Sequence, residues 1–195
     1  FSLNMILFYH SKGHGPIFRK CCPLNDKTGS YLKKLSFLRG WNITFSWRDL
    51  EPQKGQFDWN YFDSQIRQVV ESNLSVGFMV WVGHNSPEWL YNEGVPKVTT
   101  DNRKGVEYYP YYLNKYYTDR YLNMLKNVAL HIESLPPAAR KKIVFWMSAE
   151  GTTGDISPYK GNPSDQRYII SDEKWFEYKK EAWLAMSAYA QQHCP

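Results

Sequence analysis

The sequence predicts an α/β protein built on a parallel sheet, and three observations carry that prediction. Short apolar runs rich in β-branched and aromatic residues recur at residues 5–10, 41–47 and 76–82, and again in a run ending at Met147. Between and after these runs lie segments whose apolar residues fall at helical spacing. Gly40, Asn73 and the pair Pro136-Pro137 stop three of those segments, as helix terminators do. Strand and helix thus alternate four times, which predicts parallel strands joined by right-handed crossovers in one domain, residues 1–195.

In chain order, Met5 to His10 reads as the first strand, followed by a Gly/Pro-rich loop over residues 11–23 and a short helix over 31–38. The second strand covers 41–47. It runs into a turn-rich loop around Pro52 and Gly55, and Phe62, Ile66, Val69 and Val70 then mark one face of a helix. The third strand covers 76–82, and His84-Asn85-Ser86-Pro87-Glu88-Trp89-Leu90 lies just past its carboxyl end. Residues 91–116 form a long connection crowded with tyrosines, a length typical of lids and binding surfaces. The next helix buries Tyr121, Leu125, Val128, Ala129 and Ile132. The last, over 172–191, buries Trp175, Phe176, Ala182, Trp183 and Met186.

The fourth apolar run, Ile143-Val144-Phe145-Trp146-Met147, reads as a strand buried on both faces. It ends in Ser148, Ala149 and Glu150, with Gly151-Thr152-Thr153-Gly154-Asp155 behind them. A carboxylate just past the carboxyl end of such a strand stands where α/β folds build their sites. Protonating a leaving oxygen requires a carboxyl kept neutral by its pocket, which makes Glu150 the candidate general acid/base. Asp155 either joins that site or caps a turn.

Aromatic residues make up 17% of the chain, with eight Trp and fifteen Tyr, more than a core needs. Such an excess suits flat ligand faces, those of sugars or of nucleobases. Trp47, Trp81 and Trp89 fall at or beyond strand ends and read as stacking platforms, with core filling as the alternative for each, while the loop position of Trp89 favours the platform. His84 and Asn85 offer hydrogen-bonding groups to hydroxyls. Arg48 offers a planar fork to an anionic substituent, or pairs with Asp49 and Glu51. Tyr9 and His10 complete a rim.

The net charge is +5, and residues 1–40 hold seven Lys/Arg against one Asp, so the whole excess sits there. These charges are scattered among turn residues with no helical stripe, which argues against nucleic acid as the partner. No stretch approaches the ~20 apolar residues of a membrane span. Adjacent Cys21 and Cys22 are poor partners for each other, and nothing supports a bridge from either to Cys194. No metal-ligand spacing and no phosphate-binding Gly-rich loop is present, so no cofactor is expected. Sequons occur at Asn42 and Asn73, the first inside an expected strand.

Trp47-Arg48-Asp49-Leu50-Glu51-Pro52-Gln53-Lys54-Gly55-Gln56-Phe57-Asp58-Trp59 resembles the segment W-x-x-x-E-P-x-x-G-x-Y/F-D-F/W that follows the second strand in barrel-type glycoside hydrolases of the β-galactosidase and agarase kind. Ser86-Pro87-Glu88-Trp89-Leu90 is similar to their third-strand loop. The resemblance covers about residues 41–160 and implies a (β/α)8 TIM-barrel fold with about four β/α units here. It also implies an acid/base glutamate ending strand four, where Glu150 stands. Ala149 departs from the asparagine usual at that place.

An eightfold barrel takes about 250 residues, and in these families the nucleophile lies on strand seven. The expectation is therefore the amino-terminal part of a secreted glycosidase acting on a polysaccharide or galactoside. The missing strands would come from a carboxyl-terminal half or a second chain. The alternative is a catalytically incomplete carbohydrate-binding or structural protein derived from such an enzyme.

Overall fold

Four strands lie side by side in one sheet: β1 (Ile17–Arg19), β2 (Gly40–Ser46), β3 (Ser75–Trp81) and β6 (Ile143–Met147), in that spatial order and all parallel. This is a computed structural model, and it describes residues 17–19, 39–102, 108–148, 150–151 and 157–192. The expected strand at 5–10, the helix at 31–38, Tyr9, His10, all three cysteines and Asp155 lie outside the described residues. Residues 17–19, expected inside a loop, form a strand instead. Ile-Phe-Arg is a β-competent triplet, and it pairs with Gly40, Trp41 and Asn42 of β2.

The expected strands at 41–47 and 76–82 each lie one residue earlier, at Gly40–Ser46 and Ser75–Trp81. Trp47 opens the short helix α1 (Trp47–Leu50) rather than closing the strand. The helix α2 (Trp59–Glu71) begins at Asp58, whose carboxylate accepts the Tyr61 amide at 2.8 Å. It ends at Asn73, which takes the left-handed φ of 59°. There Asn73 N donates to Val70 O at 2.9 Å and Leu74 N to Val69 O at 3.2 Å, closing the helix in a Schellman turn.

One side of β2 and β3 packs on α2. Phe45 stacks on Phe62 at 4.5 Å, and Phe78 meets Phe62 edge-on at 5.5 Å. The other side aligns Asn42 with Gly77, Thr44 with Met79 and Ser46 with Trp81. Asn42 is only 2% exposed, so a glycan on its sequon is incompatible with this fold. Gly77 is a matter of space: an added Cβ would sit 2.1 Å from the Phe145 ring, which lies across β3 from β6.

The run at 143–147 is a strand, but not one buried on both faces. Val144 is buried while Ile143, Phe145, Trp146 and Met147 are half-buried. Among the described residues β6 pairs only with β3, so it forms an edge, and an edge strand lacks the cover that β2 and β3 receive.

The long connection after β3 is partly structured. A 3-10 turn (Gly83–Asn85) and α3 (Glu88–Asn92) lead to the antiparallel pair β4 (Lys97–Val98) and β5 (Tyr109–Pro110). Two of its tyrosines are withdrawn from the surface. Tyr109 and Tyr112 are fully buried, and Tyr112 packs against Tyr117, Tyr159, Trp175 and Tyr178.

The helix α4 (Lys115–Ser134) is capped by Asn114, which accepts the Tyr117 amide at 3.1 Å. A one-turn helix α5 (Pro137–Arg140) precedes β6, and α6 (Asp172–Gln192) packs on α4. On α6 Trp175, Tyr178, Ala182 and Met186 face inward, whereas Phe176, expected to be buried, is 52% exposed. Spacing of 3.6 per turn puts residue 176 off the stripe that 175, 178, 182 and 186 define. No helix among the described residues is long and apolar enough to cross a membrane.

The loops beyond β3 and β6 are clamped together. Asp101 accepts the Asn162 amide at 2.8 Å and its side-chain nitrogen at 3.0 Å, and Thr100 Oγ1 donates to Lys160 O at 2.9 Å. Gly161 makes this possible with φ of +88°, and its added Cβ would stand 2.3 Å from Asp101 Oδ1. Gly161→Ala is therefore expected to cost about 1–3 kcal/mol through backbone strain. Urea denaturation measures that cost, and faster exchange of the Asn162 amide would report the opened clamp. Unchanged stability and exchange would refute the clamp.

Candidate functional site

Three groups of side chains gather past the carboxyl ends of β2, β3 and β6. In the first, Trp81 ends β3 beside Ser46 of β2, and His84 and Asn85 follow in the 3-10 turn. Asn85 Nδ2 donates to His84 Nε2 at 3.1 Å, and Ser46 Oγ donates to Asn85 Oδ1 at 3.5 Å. The Arg48 guanidinium donates to the His84 carbonyl rather than pairing with Asp49 or Glu51. The His84 ring lies edge-on to Trp81 at 4.9 Å. Burial, and then the charge of Arg48, lower the His84 pKa, so the imidazole is neutral near pH 7. Arg48, Trp81, His84 and Asn85 thus lie together past the ends of β2 and β3.

The second group is buried. Trp47 is 0% exposed, boxed in by Trp89, Tyr117 and Tyr121 with ring centres 5.8–6.3 Å away. The expectation that it offers a face to a sugar is corrected: the ring turned inward because α1 starts at residue 47. Its indole N–H donates to Glu51 Oε2 at 2.8 Å, and Gly55 N donates to Glu51 Oε1 at 2.8 Å. Trp89, half-buried, donates its N–H to the Glu51 carbonyl at 3.0 Å. The E-P-x-x-G turn is therefore held by its own glutamate, and it ties Trp89 of α3 to the end of β2.

The third group holds Glu150, 4% exposed. Tyr121 of α4 donates its phenol to Oε1 at 2.9 Å. Trp183 of α6 shares its indole N–H between Glu150 Oε2 at 3.4 Å and Ser148 Oγ at 3.2 Å. Burial raises the Glu150 pKa, and the Tyr121 phenol, its own backbone N–H, Ser148 and Trp183 pull it part of the way back. The first and third groups meet at their backbones, where a Cβ built on Gly83 would lie 3.4 Å from the Gly151 carbonyl oxygen. Sequence reading placed Tyr121 and Trp183 only on buried helix faces. The available signal was that both carry a polar tip, which a buried aromatic side chain normally spends on a partner.

Among the described residues no group of three or more His, Cys, Asp or Glu is arranged to hold a metal ion.

Glu51 and Glu150 share a linkage consequence. Burial raises the pKa of both above the ordinary 4.5. Between 4.5 and those raised values the folded chain keeps protons that the unfolded chain has lost, so these groups make stability fall as pH rises through that window. Glu51→Gln removes one of them. Urea denaturation between pH 4.5 and 7 is expected to show a shallower fall in the variant than in the parent. Parallel curves would refute the assignment.

The beta-galactosidase family model (Glyco_hydro_42) matches residues 40–136, from β2 to just beyond α4. Among solved structures, one titled as a glycoside hydrolase superposes with TM-score 0.52 at 13% identity, covering 92% of this chain and 50% of that one. The chain resembles part of a (β/α)8-barrel glycoside hydrolase.

The AHE enzyme from Alicyclobacillus herbarius aligns at 12% identity and TM-score 0.48, over 83% of this chain and 33% of its own. A GH1 β-glucosidase from Exiguobacterium antarcticum B7 aligns at 14% identity and TM-score 0.41, over 56% and 21%. The chain spans half or less of the length of these structures. No curated protein matches it. Among the described residues, β1, β2, β3 and β6 are the parallel strands of the sheet, and Glu150 follows the last of them.

Proposed function

We propose that the protein is a glycoside hydrolase cleaving O-glycosidic bonds of a polysaccharide or galactoside, with Glu150 as general acid and, where configuration is retained, as general base on the return step. One observation supports this most: a buried carboxyl with a raised pKa, held by a phenol and an indole, just past the carboxyl end of a parallel strand. A carboxylic acid kept neutral can give its proton to a departing glycosidic oxygen. The group formed by Arg48, Trp81, His84 and Asn85, on the neighbouring strand ends, supplies hydrogen bonds and an aromatic edge for sugar hydroxyls and ring faces.

Hydrolysis needs a second carboxylate, roughly 5 Å away for retention or 6.5–9.5 Å for inversion. In this proposal it is brought by strands added at the open edge of β6, from a longer chain or a second one.

A second reading, a carbohydrate-binding protein without turnover, draws on the closure of Glu150 by Tyr121 and Trp183 and on Ala149 before it. The full-length protein assayed on aryl galactosides and on oligosaccharides separates the two. Turnover supports the hydrolase. Oligosaccharide binding by calorimetry with no released sugar supports the binding protein.

A further inference from the structure

We propose that Tyr121 and Trp183 are positioning residues that hold the two carboxyl oxygens of Glu150 through its cycle between acid and base. This rests on the acid/base assignment of Glu150 above. The two donors reach different oxygens from different helices: Tyr121 of α4 reaches Oε1 at 2.9 Å, and Trp183 of α6 reaches Oε2 at 3.4 Å.

Their chemistry differs in a way that fits the cycle. A carboxylic acid keeps one oxygen as a pure acceptor, so with the proton on Oε2 the Tyr121 phenol goes on donating to Oε1, as it does to the carboxylate. The indole N–H, which can only donate, gives up its share in Oε2. The indole is divided between Oε2 and Ser148 Oγ, so protonation at Oε2 sacrifices the weaker of the two bonds. That makes Oε2 the oxygen that carries the proton.

The titratable groups that face Glu150 are phenols: Tyr117 and Tyr121 on α4 and Tyr178 on α6. Burial raises the pKa of each well above the ordinary tyrosine value, so all stay neutral while Glu150 titrates. The Lys179 ammonium lies over the Trp183 ring, 5.6 Å from its centre. Burial opposes the ionised carboxylate, and the Tyr121 phenol, the Glu150 backbone N–H, Ser148 and the Trp183 indole favour it.

The test uses the full-length protein with Tyr121→Phe and, separately, Trp183→Phe. The readout is kcat/KM against pH on an alkyl galactoside, a leaving group that requires protonation. Losing a donor to the carboxylate raises the Glu150 pKa, so the alkaline limb moves to higher pH, by about half to one unit for Tyr121→Phe and less for Trp183→Phe. A residue with only a structural role would lower activity or stability without moving the limb.

The carboxyl stretching band, taken as parent minus Glu150→Gln, gives the same titration without turnover. It should move upward in both variants. Limbs and bands that stay in place in both would overturn the proposal, and Trp183→Phe decides alone if Tyr121→Phe does not fold. Full activity of Glu150→Gln would remove the acid/base assignment instead, an outcome distinct from an unmoved limb.

Discussion

Replacing Glu150 with glutamine in the full-length protein is expected to lower kcat by about 100- to 10,000-fold, the range a single positioned acid contributes. Glutamine keeps the shape of the side chain and still offers an oxygen to the Tyr121 phenol, so the fold should persist. The transferable proton is lost, and with it the weaker Trp183 bond to Oε2, which leaves that N–H to Ser148 Oγ alone. A chemical signature separates this from a packing defect. Glycosides of acidic phenols depart without protonation, so the variant should cleave them far less impaired than alkyl glycosides. A packing defect would depress both classes alike. Full activity of Glu150→Gln on alkyl substrates would sink the acid/base role.

What the sequence disclosed about this fold came from patterns that depend on neighbours along the chain. The α2 face, Phe62 to Val69, and its stop at Asn73 were readable because helix periodicity and a left-handed cap are local. The strands at β2, β3 and β6 were readable within about a residue for the same reason. The edge status of β6 was not. Apolar content says that a strand is buried somewhere, while edge exposure depends on how many strands pair with it.

The same division runs through the site. Arg48, Trp81, His84 and Asn85 converge because loops past adjacent parallel strands lie side by side, a consequence of topology that strand counting can anticipate. The orientation of Trp47 could not be anticipated. Whether the chain continues as strand or turns into helix at Ser46 rotates that ring from the sheet surface into the core. The partners of Glu150 were hidden for a related reason: they stand 29 and 33 residues away, on two helices whose packing no local pattern encodes.

The reorientation of Trp47 carries the largest stability consequence. Trp47→Ala should destabilise the fold by about 3–5 kcal/mol, the usual cost of removing a buried tryptophan and leaving a void. The void would open between Trp89, Tyr117 and Tyr121. The same change also strips one of two hydrogen bonds from the buried Glu51 carboxylate, leaving only the Gly55 amide. An unmet buried acceptor costs about 1–3 kcal/mol, which places the variant at or beyond the upper end of the range.

Trp47→Phe isolates that second part, since it keeps most of the ring and drops the N–H. It should recover most of the stability, though not all. Urea denaturation of both variants in the full-length protein measures the split. If Trp47 were a sugar platform, Trp47→Ala would leave the denaturation midpoint in place and weaken oligosaccharide binding. A ring with no exposed face has nothing to offer a ligand, so the loss must appear in the midpoint first, and any loss of binding must follow from the loosened Glu51 turn and the Trp89 it tethers.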